Sequence, residues 1–200
     1  MTHKRQAFTL IELLVVIGII ALLLALLTPT LTRAREKGLR VVCLGQMQQL
    51  AQGLIYYARE NDNRTPRGYT GKGWTNDTWR ENVLPHIGND KKILLCPVMN
   101  KKLLRGNSYS NYGINPYIGE NPQQIYLSQA RQPAQTFAVS ENNDGDWPSE
   151  PQGGPWPQPG WFYGLHDNGA MAAFLDGHGR WVSTAEAHQN NFYLFLLNKP

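Results

Sequence analysis

The chain has 200 residues, room for one ordinary domain or a small domain with an appendage. Its net charge of +4, from 19 Lys and Arg against 15 Asp and Glu, is too weak and too dispersed for a nucleic-acid-binding face, and no nucleic acid is expected as a partner. Two cysteines exclude a disulfide-dense scaffold and an all-cysteine zinc site.

The apolar residues are concentrated at the N-terminus. Residues 13–27 read LLVVIGIIALLLALL, and the run extends to Phe8–Leu27 once Thr9 and Glu12 are admitted. Twenty helical residues at about 1.5 Å each match the roughly 30 Å hydrocarbon core of a bilayer. The preceding MTHKRQA carries Lys4 and Arg5 and no acid. The positive-inside rule then predicts a single-pass inner-membrane protein with its N-terminus cytoplasmic and the remainder extracytoplasmic.

Three readings of this end compete. A secretory signal peptide would close on a small-x-small cleavage site, whereas this run ends in Thr28-Pro29-Thr30. A plain anchor fits the length but leaves Glu12 without a partner, at about 2–3 kcal/mol near lipid. A cut just before Phe8 resolves the difficulty, because the new α-amino group is a cation four residues from Glu12 that can meet the Glu12 of a neighbouring subunit.

Ala7-Phe8-Thr9-Leu10-Ile11-Glu12 followed by an apolar helix resembles the processing motif of type IV prepilins and type II secretion pseudopilins. The resemblance implies a leader at residues 1–7 and cutting between Ala7 and Phe8 by a prepilin peptidase. It also implies N-methylation of Phe8, and assembly with other pilin-like subunits guided by Glu12. Pro29 falls where pilins often carry a helix-loosening proline. The family usually has Gly before the cut, and Ala7 is the departure.

Residues 8–29 are thus the transmembrane and assembly helix, and residues 30–61 its amphipathic continuation. Leu31, Ala34, Leu39, Val42, Met47, Leu50, Leu54, Tyr57 and Ala58 recur at helical spacing, with charges between them. Gly38, Gly45 and Gly53 each weaken the helix by about 1 kcal/mol relative to Ala. From Phe8 to about Glu60 it would be a rod of roughly 80 Å. The basic cluster Arg33–Arg40 reads either as a solvated face or as a contact for phospholipid head groups, so membrane lipid is a candidate partner.

Residues 62–200 are strand-and-loop material. Short apolar stretches at Lys92–Cys96, Thr136–Ser140, Ala170–Asp176 and Arg180–Ser183 lie between turn signals. Asp176-Gly177-His178-Gly179 reads as a tight hairpin turn. The expected fold class is α+β, a small antiparallel sheet laid against the amphipathic helix. Residues 144–161 hold five of the 13 prolines and three of the six tryptophans, so they form a long semi-rigid loop. Trp147, Trp156 and Trp161 are either a lid over the sheet or a platform for a glycan or protein partner.

His166 and Asp176 are separated by nine residues, a spacing that adjacent strands can close. This His-x9-Asp-Gly segment is similar to the C-terminus of pseudopilin-like proteins of planctomycete-type bacteria. Cys43 and Gln49, Tyr57-Ala58 with Asn61-Asp62, Leu95-Cys96-Pro97, Ser110–Asn115 and Pro133–Ser140 also match that group. The pair reads as a hydrogen bond that holds the hairpin, or as part of a metal site. Pseudopilins often bind calcium in C-terminal loops, which makes Glu141, Asn143, Asp144, Asp146 and Asp176 candidate oxygen donors. His166, Asp176 and His178 are a weaker transition-metal set.

None of the nucleophile-elbow, zincin or phosphate-loop signatures is present, and the expectation is a structural protein that is not an enzyme. In an oxidising compartment Cys43 and Cys96 would pair across a 54-residue loop, a bridge worth about 4 kcal/mol on the chain-entropy model. Two buried free thiols are the alternative. The leading functional expectation is a pilin-like or pseudopilin subunit of a type IV pilus or type II secretion filament, in the periplasm or at the cell surface. The competing one is a permanently anchored extracytoplasmic binding module whose Trp-rich loop takes a glycan or a protein.

Overall fold

Helix α1 starts at a Thr-x-x-Glu box. Thr9 Oγ1 accepts the backbone N–H of Glu12 at 3.3 Å, and the Glu12 carboxylate reaches back to the Thr9 N–H at 2.9 Å and hydroxyl at 2.7 Å. From there α1 runs Leu10–Glu60. The computed structural model describes residues 9–67, 79–98, 110–115, 118, 125–141, 169–183 and 185–186. Two compact units divide the chain, Met1–Leu39 and Arg40–Pro200.

In the first unit the helix exposes its apolar side chains all round, from Leu10 to Leu31. Pro29 lies inside the helix, where it removes a backbone donor. The adjacent threonines bond within the helix, Thr28 Oγ1 to the Leu24 carbonyl at 2.6 Å and Thr32 Oγ1 to the Thr28 carbonyl at 3.0 Å. Thr28 and Thr32 therefore present little unsatisfied polarity to an apolar solvent.

In the second unit α1 becomes one-sided. Cys43, Met47, Leu50, Ala51, Leu54 and Ala58 are buried, and their three- and four-residue spacing places them on one face. The helix stops at Glu60 because Asp62 and Asn63 take left-handed conformations, with φ of 53° and 62°, and the Asn63 N–H returns to the Ala58 carbonyl.

The sheet is a four-stranded antiparallel meander in chain order: β1 Tyr112–Ile114, β2 Phe137–Glu141, β3 Gly169–Phe174 and β4 Gly179–Ser183. Together with α1 it makes the α+β, pilin-like arrangement that the patterning predicts. On β3, Met171 and Ala173 join the core under the helix, while Ala170, Ala172 and Phe174 join a second cluster with Phe137 and Val182. A register shift between Phe137 and Val139 lets both Ala138 and Val139 serve the helix-side core.

One local expectation is corrected. Lys92–Cys96 is not a strand. Lys91–Leu94 is a 3-10 turn, its first N–H groups capped by Asp90, which accepts from Lys92 at 2.9 Å. A short apolar run carries no periodicity to separate strand from helical turn, and here Ile93 and Leu94 are buried from the turn. Tyr112–Ile114, which the apolar patterning does not single out, forms a short strand that lacks alternation because all three residues are buried.

The glycines of α1 also divide. Gly38 and Gly45 have open space where a Cβ would stand. A Cβ on Gly53 would lie 2.7 Å from Val83 and 2.9 Å from Ile87, so Gly53 is the point where the short helix α2 (Trp79–Val83) and the turn after it approach α1. Gly53→Ala is therefore expected to destabilise the protein by about 1–2 kcal/mol, overpacking exceeding the gain in helix propensity. Gly45→Ala is expected to stabilise it by up to about 1 kcal/mol. Denaturant unfolding of both variants checks the opposite signs; equal signs would remove the close-approach argument.

Candidate assembly and processing site

The Glu12 carboxylate sits at the exposed start of α1, held by Thr9 in the capping box. The Thr-x-x-Glu spacing is the sequence signal for this helix start, and it gives Glu12 an internal partner distinct from the intersubunit one that the motif leads one to expect. The surface that follows is built of Leu, Ile and Val over five turns, a patch that water-soluble monomers do not expose.

A family model described as the prokaryotic N-terminal methylation motif matches residues 2–28, the segment that contains Phe8, the Thr9–Glu12 box and the apolar run. The match supports a type IV prepilin-like N-terminal segment. No curated protein and no solved structure matches it. The motif implies that the prepilin-like chain is processed by a prepilin peptidase and assembles with other pilins, and with the exposed apolar helix it fits a membrane-anchored protein. Ala7 and Phe8 themselves lie outside the described residues.

In the head, Cys43 on α1 is disulfide-bonded to Cys96, with Cα atoms 5.3 Å apart. The bridge ties the buried helix face to the segment that follows the 3-10 turn. Glu141, at the end of β2, is fully buried beside it and accepts the Met171 N–H at 2.9 Å. The two sulfurs and a Glu141 oxygen lie within 4.8 Å of one another, but this is a disulfide next to one carboxylate, not the set of hard oxygen donors that calcium takes. Of the other calcium candidates, Asn143, Asp144 and Asp146 lie outside the described residues, as does all of 144–161.

Burial first, and the Glu141 charge second, push the Tyr112 phenol well above its ordinary range. Its hydroxyl donates to Gln46 Oε1 at 2.7 Å, and its backbone carbonyl accepts from the buried Arg80 guanidinium at 3.1 Å. These contacts link α1, β1 and α2. Nothing in the sequence marked Arg80 as buried, because an isolated Arg in a polar stretch carries no pattern.

Asp176 is placed by the β3–β4 turn, where Gly177 has φ of 91°. Its Oδ1 accepts the His178 N–H at 3.1 Å and lies 2.6 Å from the ring Nδ1. The imidazole stacks on Phe174 with centroids 4.3 Å apart. Among the described residues, Asp176 is thus held by His178, two positions on; His166 lies outside them. The Asp-Gly-His sequence of the turn was the available signal.

Partial burial raises the Asp176 carboxyl, but the hydrogen bonds and charge of His178 outweigh it and hold the group below its ordinary value. A depressed carboxyl contributes stability that is complete above the unfolded value, about 3.9, and is lost as pH falls through the lower folded value. Amide resonances of Gly177 and His178 are expected to shift together below about pH 4, and Asp176→Asn should abolish that step. An unchanged acid limb in the variant would remove the pairing from the account.

For the bridge, Cys43→Ser with Cys96→Ser is expected to lower stability by about 4 kcal/mol under oxidising conditions. Calorimetry against the reduced wild type separates loss of the bridge from the hydroxyl substitution.

Proposed function

We propose that this chain is a pilin-like or pseudopilin structural subunit, cut between Ala7 and Phe8, N-methylated on Phe8, and assembled through its N-terminal helix into a type IV pilus or type II secretion filament. The observation that carries this reading is the methylation motif at residues 2–28 running directly into an apolar helix exposed on all sides. Its α-helical surface packs against the same surface of neighbours. Glu12 leaves the Thr9 cap and pairs with the Phe8 amine of an adjacent subunit in a low-dielectric setting, where the attraction is stronger than in water. The N-terminus faces the cytoplasm before assembly and the head lies outside it. The role is structural and not catalytic.

Ala7, in place of the family's usual Gly, is the one residue that favours a second reading, a permanently anchored binding module that keeps its leader. Intact mass and N-terminal peptide mapping, on protein expressed beside its native prepilin peptidase, separate the two. Loss of MTHKRQA with a methyl group on Phe8 is the expected result; a chain that still starts at Met1 favours the anchor. Glu12→Leu is expected to insert into the membrane normally and to cut filament yield at least tenfold. Equal assembly by the variant would overturn the pairing of Glu12 with the amine.

A further inference from the structure

The first unit carries a second polar feature, a group of cations just past the apolar run. Arg33, Arg35 and Lys37 are exposed, and among the described residues they have no ion-pair or hydrogen-bond partner. From Phe8 to Thr32 there is no Lys or Arg at all, so once the leader is removed these are the first cationic side chains after the Phe8 amine. The only acid among them is Glu36.

Their depth along the helix is set by the apolar run. Counted from Leu27, the three Cα atoms lie about 9, 12 and 15 Å further on, and counted from the exposed Leu31 they begin about 3 Å on, at about 1.5 Å per residue. The polar layer of a bilayer face is roughly 5–8 Å thick. Helical side chains lean toward the N-terminus, here toward the bilayer, and long cationic side chains extend that reach. All three charges therefore come within a screening length, about 8 Å, of the phosphate layer.

Their angular spread decides what kind of partner they suit. Arg33 and Lys37 are four residues apart and share a face, whereas Arg35 is two residues from each and projects from the other side. A protein neighbour covers one face of a helix. A head-group layer surrounds it.

We propose that Arg33, Arg35 and Lys37 form a binding collar for anionic phospholipid head groups, which fixes the depth of the unassembled subunit in the bilayer. The inference rests on the reading of residues 8–27 as membrane-embedded and holds for either orientation of the chain. Leaving the membrane for a filament then requires release of these lipids, so the collar opposes extraction while the Glu12 pairing favours it. Each cation near an anionic surface is expected to contribute roughly fivefold in lipid preference.

The test uses the full chain with Lys4→Gln and Arg5→Gln, so that leader cations add nothing whether or not cutting occurs. The protein is equilibrated in mixed micelles with equal phosphatidylglycerol and phosphatidylcholine, and retained lipids are counted by native mass spectrometry. The expected result is at least tenfold preference for phosphatidylglycerol, weakening with salt, and near parity after Arg33→Gln, Arg35→Gln and Lys37→Gln with unchanged helicity. Parity in the parent, or an undiminished preference in the triple variant, overturns the proposal. So does parity in the parent accompanied by crosslinks from Lys37 to acidic residues of a second copy, which would assign the cations to a protein contact. Glu12→Leu in the same background should keep the lipid preference, which separates failure of the collar from failure of the assembly reading.

Discussion

The head depends on the seam between the buried face of α1 and the sheet. Strands of three to six residues, β1 to β4, are too short to be stable without a covering element. Cys43, Met47, Leu50, Ala51 and Leu54 supply that cover as one row, clustered with Ile114, Val139, Met171 and Ala173 from the sheet and Trp79, Val83 and Leu94 from the connecting segments. Each fully buried Leu or Met in such a seam contributes about 1.5–3 kcal/mol. The Cys43–Cys96 bridge adds a covalent tie at the start of the row, and Gly53 removes the side chain that would keep α2 from closing on it.

The same helix serves a different solvent in the other unit. There the apolar residues surround the axis instead of forming a row, so no orientation of a sheet against it would bury them all. Only lipid or several neighbouring helices can. Several of the few polar groups along this stretch are internally bonded: Glu12 with Thr9, Thr28 with Leu24, Thr32 with Thr28. Lipid and neighbouring helices would meet nearly the same apolar surface here, and Glu12 has an internal partner in Thr9.

Polar groups inside the head are joined to backbone or to one another at the joints between elements. Arg80 donates to the Tyr112 carbonyl, Tyr112 to Gln46, and Glu141 accepts from Met171. Each bond crosses from one element to another, so a shifted register or a rotated helix would leave a buried donor or acceptor unmatched, at about 1–3 kcal/mol. In this way the buried polar residues select one arrangement of a core whose apolar part alone tolerates several.

What the sequence by itself determined follows from signals that are local or periodic. The Phe8–Glu12 motif and the unbroken run to Leu27 are contiguous, so the prepilin-type motif, a span of membrane length and the long helix were readable without a fold. Strands β2, β3 and β4 lay in apolar stretches between turn residues, and the β3–β4 turn was marked by Asp176-Gly177. Only the tertiary structure decided that Lys91–Leu94 is a turn and Tyr112–Ile114 a strand, that Asp176 is held by His178, that Arg80 and Glu141 are buried, and that Gly53 differs from Gly45. The physical reason is common to all of these. Each is set by a neighbour brought close through the fold or by a turn's local geometry, and residue type and spacing along the chain carry no record of which neighbour arrives.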